Sequence, residues 1–219
     1  MTWIKICGIT NLEDALTAVE AGADAVGFVF YEKSPRYVDL DTARAIAHKM
    51  PADVEKVGVF VNQFENSIYQ SADFVGLTAV QLHGDNEDPH VADLVVRQRP
   101  QLKVLVAVSM LHPVPEGWTM MYDPDSVHAF LLDSGGPSQR GGTGTRFDWT
   151  AAQPTAEVMA RLSRVIVAGG LSSQNVAEAM NILHPWGVDV SSGVEEKPGK
   201  KDPDKVRAFV KAVRQADKN

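Results

Sequence analysis

The chain carries one cysteine, Cys7, among 219 residues, so no disulfide within the chain can staple it. That usage suits a reducing compartment, and a cytoplasmic location is expected. Basic residues are outnumbered, with 21 Lys and Arg against 28 Asp and Glu, a net charge of −7. The deficit argues against nucleic acid as a partner, because sequence-independent binding depends on neutralising phosphates. No apolar run approaches the roughly 20 residues of a membrane span, so no membrane partner is expected. The amino terminus, Met1-Thr2-Trp3-Ile4-Lys5, enters a strand at once, without the basic and apolar regions of a secretory signal. Low-complexity linkers and composition breaks are also missing. Apart from His83, the histidines (His48, His90, His112, His128 and His184) are scattered without paired ligand spacing. No metal and no cofactor are therefore expected.

What is present is periodic. Eight short apolar runs, at Trp3–Cys7, Ala25–Phe30, Glu55–Val61, Ala79–His83, Lys103–Val108, Phe130–Asp133, Arg164–Ala168 and Gly187–Ser191, alternate with amphipathic stretches. Their length and their Val, Ile, Leu and Phe content suit strands buried on both faces. Helix signals lie between them. Thr10 with Glu13 has the capping-box spacing, and Asp41 and Ser172 are candidate N-caps of the second and seventh helices. Asp202 before Pro203 reads as N-cap and first-turn proline, with Val206, Phe209, Val210 and Val213 as the apolar stripe. Eight β–α repeats predict an α/β chain forming a single (β/α)8 TIM barrel, one catalytic domain over residues 1–219. An open doubly wound sheet is the alternative, though it more often uses five or six strands. One unit is irregular. Leu111-His112-Pro113-Val114-Pro115-Glu116-Gly117-Trp118 places two prolines where the fifth helix should start, so that helix is expected to be degenerate, a loop or a single turn.

In such a barrel the active site forms at the C-terminal ends of the strands. Alternation turns Trp3, Lys5 and Cys7 inward on the first strand, Leu131 and Asp133 on the sixth, and Asp189 and Ser191 on the eighth. Lys5 and Asp189 become neighbours once the barrel closes, and are either a buried ion pair, a substrate contact, or both. Cys7 stands at a strand end facing a loop, as a catalytic thiol would, although a free cysteine is more often a small buried hydrophobe. Arg36, after Pro35, has a fork suited to a carboxylate. His83 is open to three readings: an acid, a base, or a hydrogen-bonded loop histidine. Late in the chain come Gly141-Gly142-Thr143-Gly144, Ala168-Gly169-Gly170-Leu171 and Ser191-Ser192-Gly193-Val194. Such stretches let backbone approach a ligand closely, and the last two follow strands seven and eight, where barrels commonly hold phosphate. Gly142, Gly144, Gly169, Gly170, Ser192 and Gly193 are the candidate phosphate-binding positions, and a phosphorylated small molecule is the expected partner.

Several runs together resemble phosphoribosylanthranilate isomerase. They are Lys5-Ile6-Cys7-Gly8-Ile9-Thr10, Gly27-Phe28-Val29-Phe30 with Ser34-Pro35-Arg36, Val57 through Asn62, Gln81-Leu82-His83-Gly84, Leu131-Leu132-Asp133-Ser134, the three glycine stretches with Phe147-Asp148-Trp149, and Gly187 through Glu195. The resemblance covers nearly the whole chain, in order. It implies an enzyme of tryptophan biosynthesis that converts N-(5-phosphoribosyl)anthranilate to 1-(2-carboxyphenylamino)-1-deoxyribulose 5-phosphate by an Amadori rearrangement. It also implies that Cys7 is the general base, Asp133 the general acid, Arg36 the holder of the anthranilate carboxylate and Asp189 a sugar contact. Lys5, from its inward place on the first strand, and His83, from its place at the end of the fourth, are candidate substrate-binding residues. This chemistry needs a protonated carboxyl and a thiolate together near neutral pH, the reverse of the order in which free groups titrate. An inward Lys5 is expected to favour the thiolate. Two alternatives carry different expectations. A related phosphosugar isomerase of histidine biosynthesis would use carboxylates for both roles and resemble two half-barrels; a non-catalytic phosphate-binding barrel would need neither Cys7 nor Asp133. The oligomeric state is expected to be monomer or homodimer.

Overall fold

A computed structural model describes residues 1–84, 89–115, 117–135 and 144–218. Eight parallel strands close into a barrel in sequence order, β1 to β8: Trp3–Cys7, Ala25–Val29, Glu55–Val61, Ala79–His83, Lys103–Ser109, Ala129–Asp133, Arg164–Val167 and Gly187–Val190. Closure pairs β1 with β8, with Lys5 opposite Asp189. The helices among the described residues are α1 (Leu12–Ala21), α2 (Leu40–Ala47), α3 (Glu65–Val75), α4 (Pro89–Gln98), α5 (Trp149–Ala160), α6 (Val176–Leu183) and α7 (Pro203–Ala216). None of them is long and apolar enough to cross a membrane.

Strand alternation divides the core into two layers. Ile4, Ile6, Val26, Phe28, Phe130, Leu132, Val188 and Val190 point outward and pack beneath the helices. Trp3, Ala25, Val57, Ala79, Leu105, Ala129, Leu131 and Ile166 point inward and fill the barrel. One large ring among alanines suits a narrow interior, where bulky and small side chains must interdigitate. Trp3 stacks on Trp186 at 5.2 Å between centroids, closing the end from which the strands begin. Farther up the barrel, Gly27 makes space for polar side chains. A Cβ there would stand 2.8 Å from Cys7 Sγ and 3.0 Å from Lys5 Cε, so glycine lets both side chains lie across the interior without shifting.

Among the described residues of the Pro-rich segment after β5 there is no α-helix. Two short 3₁₀ turns, Trp118–Met121 and Pro124–Ser126, take its place. Trp118 and Tyr122 lie 5.9 and 5.7 Å from the Phe130 ring, so an aromatic cluster covers the outer face of β6. Three expected caps are corrected. Asn11, not Thr10, caps α1, accepting from Asp14 N at 2.9 Å; the Thr10 hydroxyl instead donates to Gly199 O at 2.6 Å. Asp39, not Asp41, caps α2, its two oxygens accepting from Thr42 N and Oγ1. Ser172 begins a turn stapled by Asn175, whose Oδ1 accepts from Ser172 N, and α6 starts only at Val176. The Asp202-Pro203 start of α7 is found as expected. An element without a strand signal in the sequence is the hairpin of β9 (Glu195–Lys197) and β10 (Lys200–Lys201), which follows β8.

His128, half-buried at the start of β6, accepts from Arg164 Nη1 at 2.7 Å through Nε2. Burial first, then Arg164 and Lys103, lowers its pKa from 6.5 to about 4. The folded chain thus keeps this ring neutral where the unfolded chain protonates it. Its contribution is complete above about pH 6.5 and is lost as pH falls toward about 4. Between pH 7.5 and 4.5 the wild type should lose on the order of 1 kcal/mol more stability in urea unfolding than His128→Gln, after allowing for solvent screening. Equal losses in the two proteins would contradict this.

Candidate active site

The site is set by a lysine inside the barrel. Lys5, fully buried at the middle of β1, donates from Nζ to Asp189 Oδ1 on β8 at 3.0 Å and to Gln81 Oε1 on β4 at 2.8 Å. The contact therefore joins neighbouring strands and spans the interior. Burial opposes the ammonium, but Asp189 and Cys7 outweigh it and hold the Lys5 pKa above the usual lysine value. Burial pushes the Asp189 carboxyl up and Lys5 pulls it back; the 3.0 Å contact, with Gln81 as second acceptor, favours the ionised pair.

Cys7 lies one inward position above Lys5, only 8% exposed. Burial pushes the thiol above its ordinary value; Lys5 draws it toward the thiolate, Asp189 opposes this, and Lys201 adds to the pull. Lys5 therefore acts in the expected sense, but burial outweighs it. Asp133 ends β6, 7% exposed, its Oδ1 accepting from Gly135 N at 3.2 Å. Cys7 and Asp133 line one cavity of about 70 Å³ at the C-terminal mouth, together with Arg36, Gln81, His83, Asp189 and Ser191. A larger cavity, about 750 Å³, lies at the opposite end and is lined by Lys103, His128, Arg164 and Trp186. The smaller one is the candidate site because the acid, base and cations converge there.

Arg36 is placed in the wall of the mouth, with 7% exposure. Its Nε and Nη2 donate to Glu195 Oε1 and Oε2 at 2.9 and 2.7 Å, a two-pronged pair. Glu195 Oε1 also accepts from Lys201 Nζ at 2.9 Å. Burial raises the Glu195 carboxyl, but Arg36 and Lys201 together hold it below the usual carboxylate range. The hairpin carrying both residues is anchored by the buried Asp14 of α1, which accepts from Lys201 N at 2.7 Å and Lys200 Nζ at 2.9 Å.

The late loops abut one another. Gly169 and Gly170 have φ of +70° and +67°, and a Cβ on them would meet Ser134 N at 2.5 Å and Arg146 N at 2.6 Å respectively. Gly193, in the turn Ser192–Val194, backs onto Leu171 O, and Gly144 comes close to the Ser192 hydroxyl. Backbone from three strand ends is thereby gathered at one side of the mouth. Gly142 lies outside the described residues.

Sequence reasoning missed Gln81, Glu195 and Lys201 as site residues. Gln81 was detectable, because it shares the inward face with His83 two positions later. Lys201 gives no such signal, since its burial depends on a hairpin that alternation does not show. Ser191 was expected to point inward, and its Oγ is buried with no hydrogen-bond partner among the described residues.

Residues 4–212 match the family model described as N-(5'-phosphoribosyl)anthranilate (PRA) isomerase. The N-(5'-phosphoribosyl)anthranilate isomerase of Pelobacter propionicus is 45% identical over 215 residues, covering 98% of this chain and 97% of that protein. A phosphoribosyl anthranilate isomerase solved with reduced 1-(o-carboxyphenylamino)-1-deoxyribulose 5-phosphate superposes with a TM-score of 0.80 at 40% identity, covering 98% of this chain and all of the other. Monomers of the dimeric phosphoribosylanthranilate isomerase from Thermotoga maritima give a TM-score of 0.79 at 39% identity, with 98% and 100% coverage.

Removing the Lys5 ammonium would leave Asp189 buried without a counter-charge. Lys5→Met should lower the unfolding free energy in urea by about 3 kcal/mol, and Lys5→Met with Asp189→Leu should recover most of it. A single variant as stable as the wild type would show that the pair does not hold the barrel.

Proposed function

The chain belongs to the N-(5'-phosphoribosyl)anthranilate isomerase family, and on that premise we propose that it works with Cys7 as general base and Asp133 as general acid. It is an isomerase of tryptophan biosynthesis, converting N-(5'-phosphoribosyl)anthranilate to 1-(2-carboxyphenylamino)-1-deoxyribulose 5-phosphate. The observation that carries the residue assignment is the single cavity lined by the buried thiol of β1 and the carboxyl of β6.

In the proposed sequence the Asp133 carboxyl gives its proton to the ribose ring oxygen. The C1–O bond breaks, and the anthranilate nitrogen lone pair makes the C1=N iminium. The Cys7 thiolate then takes the proton from C2, and the C2–H electrons form the enolamine. Transfer of the C2 hydroxyl proton to C1 leaves the ketone, so the overall change is an isomerisation. Sulfur takes up only the proton and forms no bond to the substrate.

Binding divides among the walls. Arg36, with its guanidinium plane fixed by Glu195, meets the anthranilate carboxylate. Asp189 contacts the sugar while keeping its partner Lys5. His83 lines the mouth at the β4 end and meets the substrate as a hydrogen-bonding side chain. The backbone around Gly144, Gly169, Gly170, Ser192 and Gly193 takes the phosphate, supported by the close approach of the three loops. Residues 1–219 act as one catalytic domain, a cytoplasmic enzyme working as a monomer or homodimer.

Conversion is followed as loss of anthranilate-type fluorescence from freshly made substrate. Cys7→Ser and Asp133→Asn should each lower kcat by about 10²–10⁴-fold with modest change in KM, as loss of a positioned acid or base does. Wild-type rates in either variant would overturn the assignment of that residue.

A further inference from the structure

Around the Cys7 thiol the buried charges do not balance pairwise. Lys5 on β1 is matched by Asp189 on β8 at 3.0 Å. On the other side, Arg36 and Lys201 share one carboxylate, Glu195. Among the described ion pairs two cations therefore meet one carboxylate, in a setting where Lys201 has no exposed surface and Arg36 and Glu195 only a few per cent. Asp133 on β6, His83 on β4 and Tyr31 after β2 are the other titratable groups lining the cavity among the described residues. A buried, unbalanced charge is costly unless something negative approaches it.

The Lys201 ammonium is well held. Its Nζ donates to Glu195 Oε1 at 2.9 Å and to Ser191 O at 3.3 Å, and its backbone amide is fixed to Asp14. Ser191 follows β8 and lines the cavity beside Cys7. The lysine thus stands behind the loop after β8 rather than in the cavity lining; burial pushes its pKa below the ordinary lysine value, and Glu195 opposes that shift.

We infer that Lys201 is a positioning residue for catalysis, whose excess positive charge favours the Cys7 thiolate and, through Glu195, presents Arg36 to the substrate carboxylate. The inference rests on Cys7 being the base. Two negative groups answer the same excess charge: the thiolate formed for catalysis and the carboxylate arriving with the substrate. A purely structural Lys201 would anchor the hairpin and leave the thiol's charge untouched.

The test reads thiol ionisation directly, by the pH dependence of Cys7 alkylation with iodoacetamide, alongside the kinetics. Lys201→Met keeps the aliphatic stem and leaves Glu195 paired with Arg36. Its alkylation midpoint should rise by about one pH unit or more. kcat near neutral pH should fall about tenfold and recover at high pH, whereas KM should stay raised at every pH. Lys201→Arg should restore the midpoint. Glu195→Gln keeps hydrogen-bonding capacity but removes the shared negative charge, so it should move the midpoint downward. This opposite shift gives a second measurement should Lys201→Met fail to fold. Unchanged midpoints in folded Lys201→Met or in Glu195→Gln would overturn the inference. Alkylation reports the thiol's charge whether or not Cys7 is the base, so a shifted midpoint with full turnover in Cys7→Ser would sink the base assignment instead.

Discussion

An ammonium inside a barrel has to be surrounded, and the surroundings of Lys5 organise this structure. Its partners lie on β8 and β4, so one side chain ties the seam where the barrel closes to a strand across the interior. It is accommodated by glycine at position 27, because a Cβ there would force the lysine stem and Cys7 Sγ to shift. It also separates an apolar floor of Trp3 and alanines from a polar mouth. Below Lys5 the interior is a packed hydrophobic layer; above it stand the thiol and the carboxyl.

The same arrangement bears on the proposed chemistry. Burial alone would keep Cys7 as a neutral thiol. Cations on two sides oppose that, one balanced by Asp189 and one left partly unbalanced behind the loop after β8. Electrostatic groups of this kind act strongly because water is excluded and their positions are fixed before the reaction begins. The hairpin Glu195–Lys201 adds nothing to the barrel sheet, but through Glu195 it holds Arg36 in the cavity wall. Its anchor on Asp14 also links it to the helix that follows the Cys7 strand.

Much of this was legible in the chain. The eight strands stand within a residue or two of the apolar runs, because strands buried on both faces leave uninterrupted hydrophobic signatures. Alternation placed Lys5, Cys7, Asp133 and Asp189 inside, since a period of two leaves no third choice. The prolines at 113 and 115 marked the missing helix. Capping was misread by one or two positions for α1 and α2, because neighbouring Thr10 and Asn11, or Asp39 and Asp41, are all competent caps and tertiary contacts choose among them. Thr10, for example, is taken by Gly199 O, nearly two hundred residues away. Lys201 and Glu195 were illegible as site residues for the same reason: a charged residue on a short hairpin looks solvent-facing until the fold carries it inward.

The thiolate mechanism makes one demand that can be met or refused in the unmodified protein. The pH dependence of Cys7 alkylation in the free enzyme should share its midpoint with the rising limb of kcat/KM for N-(5'-phosphoribosyl)anthranilate, because both report the same proton on the same sulfur. Coincident midpoints are the expected result. A rising limb well separated from the alkylation midpoint would mean that the proton at C2 leaves to some group other than Cys7.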